Sequence, residues 1–169
     1  MSTPVEEVTG LTELIPGAAY QRVVAVPTPP AGQGWTVTVP GGVAWRLLMV
    51  FSILITSAVA ATRYPYLSLT DGTTSLFHIP IGGSAGASGT LWCTWAVGFP
   101  ITQSSLGSSG IAPLPRHILL MPGWVLMIRG LNIDSGDTFT NNSLLVVEHR
   151  LGPPPPREVF RDLPLIERW

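Results

Sequence analysis

From Trp45 to Ile55 apolar side chains fall at every second position. Trp45, Leu47, Met49, Phe51, Ile53 and Ile55 make one unbroken apolar face, and Arg46, Leu48, Val50, Ser52, Leu54 and Thr56 make a mixed one. A period of two sends successive side chains to opposite faces of a strand, so this segment (residues 45–57) reads as a strand with one face in a core and the other partly covered. The wider apolar run, residues 47–61 between Arg46 and Arg63, has the outline of a short membrane helix. It is shorter than the ~20 residues a bilayer demands and is interrupted by Ser52, Thr56 and Ser57. Strand texture recurs at residues 20–26, 35–39, 66–70, 75–79, 90–99, 116–121, 124–133 and 143–150. Asp71-Gly72 and Ser135-Gly136-Asp137 read as tight turns, and residues 82–89 and 104–110 as small-residue loops. No segment sustains a 3.6-residue period with caps at both ends.

One strand-turn-strand pattern occurs twice. Residues 35–39 run into Pro40-Gly41-Gly42 and emerge at Trp45, while residues 117–121 run into Pro122-Gly123 and emerge at Trp124. Each is expected to be a hairpin, and the two hairpins to pair within an all-β structure. Eight or nine antiparallel strands in this span predict an antiparallel Greek-key β-sandwich, with a jelly-roll-like arrangement as the leading form.

The two ends have a different texture. Residues 1–19 read as an N-terminal arm, in which Thr3-Pro4-Val5-Glu6 is able to cap one helical turn before Gly10 and Pro16-Gly17 end it. The sandwich domain is expected over residues 20–151. Residues 152–169 form a Pro-rich C-terminal arm: four consecutive prolines at 153–156 suit an extended polyproline helix and no sheet interior. Beyond them stand Phe160, Leu163, Leu165, Ile166 and Trp169, larger apolar residues than a solvated tail carries. They are expected either to fold back on the chain's own sandwich or to bind a neighbouring subunit.

Composition sharpens this picture. Only 11% of residues are charged, against about 25% in ordinary soluble domains, and none is lysine. Lysines and other charges normally protect sheet edges, so their scarcity points to faces and edges covered by partners. A net charge of −1 with no basic tail argues against packaging nucleic acid. The acidic, non-hydrophobic start gives no secretory signal, which leaves the Asn141-Asn142-Ser143 sequon without a role. The single cysteine, Cys93, forms neither an internal disulfide nor a thiolate cage and reads as a strand filler.

Candidate chemistry is sparse. Gly82-x-Ser84-x-Gly86 matches the hydrolase nucleophile elbow, with Asp134 or Asp137 and then His149 in the right chain order, but loop rather than helix is expected after it. His78, His117 and His149 lack ligand spacing, so a metal site would need them to converge in space. Asp134 and Asp137 could offer oxygens to calcium, and an Asp-Gly turn explains them equally well. Without lysine there is neither a Walker loop nor a Schiff-base catalyst. The tryptophans could make a sugar platform, although Trp45, Trp92, Trp95 and Trp124 fall in strands, where core packing is the default. No catalytic residue, cofactor or metal is expected.

Val39-Pro40-Gly41-Gly42-Val43-Ala44-Trp45-Arg46-Leu47-Leu48, then Ala61-Thr62-Arg63-Tyr64-Pro65 and Leu67-Ser68-Leu69-Thr70-Asp71-Gly72, resembles small virion proteins of tailed bacteriophages. So does Leu120-Met121-Pro122-Gly123-Trp124 with Gly136-Asp137 and residues 144–148. The resemblance, over roughly residues 35–150, implies a jelly-roll-like capsid decoration or minor capsid protein located in the virion. Its arms would tie it to neighbouring virion subunits. The uncharged surface and the need to cover sheet edges separately predict a trimer or another closed ring, and the charge balance and the short apolar run predict no direct nucleic-acid and no membrane partner. The rival expectation is a carbohydrate-binding jelly-roll module of a fibre or tail, with Trp35 or Trp92 exposed to sugar; a metal-dependent cupin-like enzyme comes third.

Overall fold

A computed structural model of the protein describes residues 19–103 and 108–152. Among them are eleven strands and no helix: β1 (Ala19–Ala25), β2 (Thr36–Thr38), β3 (Val43–Ile55), β4 (Tyr64–Thr70), β5 (Ser75–Pro80), β6 (Thr90–Val97), β7 (Thr102–Gln103), β8 (Ser109–Leu114), β9 (Leu119–Leu120), β10 (Val125–Leu131) and β11 (Thr138–Arg150). One sheet has the order β1-β11-β3-β6-β8-β7, with β9 also paired to β3, and the other has the order β2-β10-β4-β5. The antiparallel pairs nest: β1 with β11, β2 with β10, β3 with β6 and β4 with β5. Between the sheets lies one apolar core that includes Trp35, Val39, Leu67, Leu69, Leu126 and Ile128 from one side and Trp45, Leu47, Val50, Leu54, Leu91, Trp95, Phe139 and Val146 from the other. The chain is an all-β sandwich.

Neither Pro-Gly pattern is a hairpin. β2 pairs with β10 in one sheet while β3 pairs with β11, β6 and β9 in the other, so each Pro-Gly turn is an arch that crosses the sandwich. The arches lie side by side: Val39 donates its N–H to the Trp124 carbonyl (2.9 Å) and Gly123 donates to the Val39 carbonyl (3.0 Å). The flanking residues line one core from its two sides: Val39 comes from the side of the smaller sheet, while Trp45 and Leu120, cross-strand partners on β3 and β9, come from the larger one. Gly42 and Gly123 have φ of 78° and 82°, and a side chain at either would meet nothing within 4 Å. Glycine is therefore needed there for backbone conformation and not for space.

The expected unbroken face of β3 also breaks. Leu145 pairs with Met49 but Val146 pairs with Leu47, which leaves Leu48 as an extra residue in a bulge. One extra residue exchanges the two faces. Trp45 and Leu47 enter the core before it, and Val50 and Leu54 after it, while Met49, Phe51, Ile53 and Ile55 turn outward.

A strand replaces part of the loop expected at 104–110: β8 lies parallel to β6, with Trp92 opposite Ser109 and Val97 opposite Leu114. Gly110 is required in it, since a Cβ there would stand 2.8 Å from Ile81 Cγ1. The strand expected at 116–121 shrinks to β9, and that at 143–150 lengthens to the whole of β11.

Candidate interaction surfaces

The outer face of the larger sheet follows from its registers. Val23, Leu145, Met49, Ala96 and Pro113 stand in one cross-strand row, and Ala25, Ser143, Phe51, Thr94 and Ile111 in the next. Thr140, Ile53, Trp92 and Ser109 make a third. No charged residue occurs in these rows. Val23 is 67% exposed and Trp92 50% exposed, with the Trp92 ring edge-on to Phe51 at 6.1 Å. Charge first reappears toward the arches, at Arg46, whose neighbour across the register is Leu119.

The outer face of the smaller sheet carries a shallow recess of about 380 Å³ lined by Tyr64, Tyr66, His78, Pro80 and Leu131. Tyr64 and Tyr66 alternate on β4 and so share a face; Pro80 stands opposite Tyr66 and Leu131 opposite Tyr64. His78 lies edge-on to Tyr66, with ring centroids 5.5 Å apart, and its Nε2 shares a 2.9 Å hydrogen bond with the Ser75 hydroxyl.

Two polar networks hold the ends of the sandwich. At the arch end, Glu148 of β11 is buried and accepts hydrogen bonds from the Tyr20 hydroxyl, Trp45 Nε1 (2.9 Å) and Arg22 Nη1 (3.0 Å). Burial pushes its carboxyl up, but these three donors and the Arg22 charge outweigh that and hold it below the usual carboxylate range. At the other end Arg63 and Asp137 are fully buried and meet in two bonds, Nε to Oδ2 at 2.9 Å and Nη2 to Oδ1 at 3.1 Å. The Arg63 Nη1 donates to the carbonyls of Val59 (2.7 Å) and Ala61 (2.6 Å), and Nη2 donates to the Ser57 hydroxyl (3.0 Å). Asp137 also accepts the N–H groups of Ser57 and Asp134, both at 2.7 Å. Burial works against its charge, yet Arg63 and these N–H groups keep its carboxyl low.

The chemistry sought in the sequence has a structural fate. Asp137 is committed to Arg63, so the guanidinium stands where a calcium ion would be needed, and Asp134 is held by Gly136 N–H and the Ser57 hydroxyl. After Ser84 comes no helix; Ala85 forms a bridge to Arg63 instead, and the nucleophile elbow is not made. Among the described residues no three His, Cys, Asp or Glu side chains gather as metal ligands. Cys93 is buried, and burial pushes its thiol up to about 12. Trp35, Trp45 and Trp95 are core residues, whereas Trp92 is exposed within a sheet face. No helix of the described residues is long and apolar enough to cross a membrane. The partner-binding residues expected in the tail, Phe160, Leu163, Leu165, Ile166 and Trp169, lie outside the described residues, as do most of the two expected arms.

Sequence reading passed over the Tyr64–Tyr66–His78–Pro80 recess. Its signal was a period of two on each strand, but that the strands adjoin depends on register, which no local pattern reveals. No family model, curated protein or solved structure matches the chain.

Proposed function

We propose that the sandwich is a jelly roll and that the protein is a structural subunit of a tailed-phage virion, of the decoration or minor capsid type. The nested pairs, folded over so that β1-β11-β3-β6 face β2-β10-β4-β5, support the first part. The observation that carries the second is the outer face of the larger sheet, with three successive rows free of charge. An uncharged, largely apolar face of this kind suits permanent contact with another subunit better than exposure to water. β1 adds an open sheet edge with no lysine. The tail's large apolar side chains would each contribute about 1.5–3 kcal/mol when buried on a neighbour, before ordering costs. Closed rings, with the trimer as one form, cover such surfaces symmetrically.

The carbohydrate-binding alternative fits less well, because Trp35 is buried and Trp92 stands in mid-sheet beside Phe51 and not at a loop end. The test is sedimentation velocity on the full chain, on a chain ending at Leu151, and on Trp92→Glu. The expected result is a defined oligomer that dissociates in both variants. Monomers in all three would overturn the assembly role and direct attention to glycans.

A further inference from the structure

We propose that the recess formed by Tyr64, Tyr66, His78, Pro80 and Leu131 binds the tetraproline segment, residues 153–156, of a second copy of this chain. The inference deepens the arm-mediated assembly described above and rests on it.

Proline-rich segments are recognised by shallow grooves with aromatic walls, because a polyproline helix is ordered before it binds and loses little entropy on docking. The recess has that character: two tyrosines side by side on β4, a proline and an edge-on histidine on β5, and an exposed leucine on β10. Hydrogen bonding matches as well. Proline carbonyls accept and proline nitrogens donate nothing, while among the described residues neither the Tyr64 nor the Tyr66 hydroxyl holds a hydrogen bond. Exposed Arg129, opposite Tyr66 on β10, offers a cation to Glu158, which follows the prolines closely.

Chain length makes the donor another copy. Arg150 pairs with Val43 at the arch end of the larger sheet. Pro153 follows within about 11 Å, and even a fully stretched chain brings Pro156 no further than about 21 Å. The recess runs from the level of Arg129 to that of Leu131 on β10, about 14 to 20 Å along the strand, and lies on the outer side of the other sheet, about 10 Å beyond. The straight path is closed by the sandwich itself, and the detour round its edge takes up more than the stretched chain spans, so a second copy is the better-placed donor.

The test uses the full chain, the Tyr64→Ala/Tyr66→Ala double variant, Leu131→Arg, and the variant with all four prolines replaced by alanine, each checked for an unchanged melting transition. The probe is a synthetic peptide of residues 150–162. The expected result is that excess peptide dissociates the full-length oligomer, and that either recess change or loss of the prolines weakens association by about tenfold or more. An oligomer indifferent to the recess variants and to the peptide, yet lost on truncation at Leu151, overturns the recess and leaves the arm reading intact. An oligomer indifferent to truncation, or a full chain that stays monomeric, overturns both. Binding of a glycan but not of the peptide to the recess overturns the polyproline assignment.

Discussion

The two ends of the sandwich are fastened by different means. At one end Arg63 and Asp137, with no exposed surface, draw together the segment after β3 and the turn before β11, and the Thr56 hydroxyl ties in Gly86 and Gly89. At the other, two short Pro-Gly arches bond to each other through the backbone, and Glu148 gathers Tyr20, Trp45 and an Arg22 side chain that is 45% exposed. The difference follows from loop length. Long irregular connections bring many backbone N–H and carbonyl groups out of ladders, and buried side chains must satisfy them; a two- or three-residue arch leaves few. The end from which both chain termini depart, Ala19 being opposite His149, is thus the one held by the more exposed and more easily exchanged contacts.

The largest contrast should come from Asp137→Ala, which leaves a buried guanidinium unpaired and is expected to cost about 3–5 kcal/mol, a large share of the 5–15 kcal/mol typical of a whole domain. Urea denaturation measures it, and a loss under about 1 kcal/mol would show that the clasp is incidental. Glu148→Ala should cost less, about 1–3 kcal/mol, because it strands the Trp45 and Tyr20 donors but leaves Arg22 free to hydrate. Arg22→Ala removes only the exposed partner and should stay under about 1 kcal/mol.

Acid should act on both ends. Asp137 and Glu148 are held below the ordinary carboxylate range in the folded chain, so their contribution is complete above about pH 5 and is lost as pH falls through about 4 toward their folded values. In Glu148→Gln that portion of the acid loss is absent. The stability gap between wild type and this variant should therefore narrow as the solution is acidified below about pH 4. A gap independent of pH would mean that Glu148 is not held as a carboxylate.

The strands themselves were legible because alternation is a local property, and most of their positions can be read from Tyr20 onward. Sheet membership was not. A Pro-Gly turn closes a hairpin or an arch with the same residues, and only the long-range pairing of β2 with β10 and of β3 with β6, β9 and β11 decides between them. The Leu48 bulge was hidden because residues 47–50 are apolar in both parities, so the pattern survives a slip of one position. β8 was hidden by Gly110, Pro113 and Pro115, residues that argue against a strand unless a parallel partner and a close neighbour call for them. The Arg63–Asp137 clasp joins residues 74 positions apart, and no local signal spans that distance. The uncharged outer face was half legible: the scarcity of charge foretold it, but its rows required the register.

The finest test compares two tryptophans of similar burial. Trp45, at the arch end, donates its Nε1 to Glu148, whereas Trp35, just before β2, has a buried Nε1 with no partner among the described residues. Phenylalanine in place of Trp45 should lose a charge-assisted bond on top of the change in volume, so its cost should exceed that of Trp35→Phe by about 1.5–3 kcal/mol. Trp35→Phe removes a donor that lacks an acceptor among the described residues, and that relief offsets part of the lost packing. In the Glu148→Gln background the difference between the two substitutions should shrink, because the acceptor is no longer charged, and a full double-mutant cycle would measure by how much. Equal costs in both backgrounds would mean that the arch end is held by packing around Trp45 and not by its bond to Glu148.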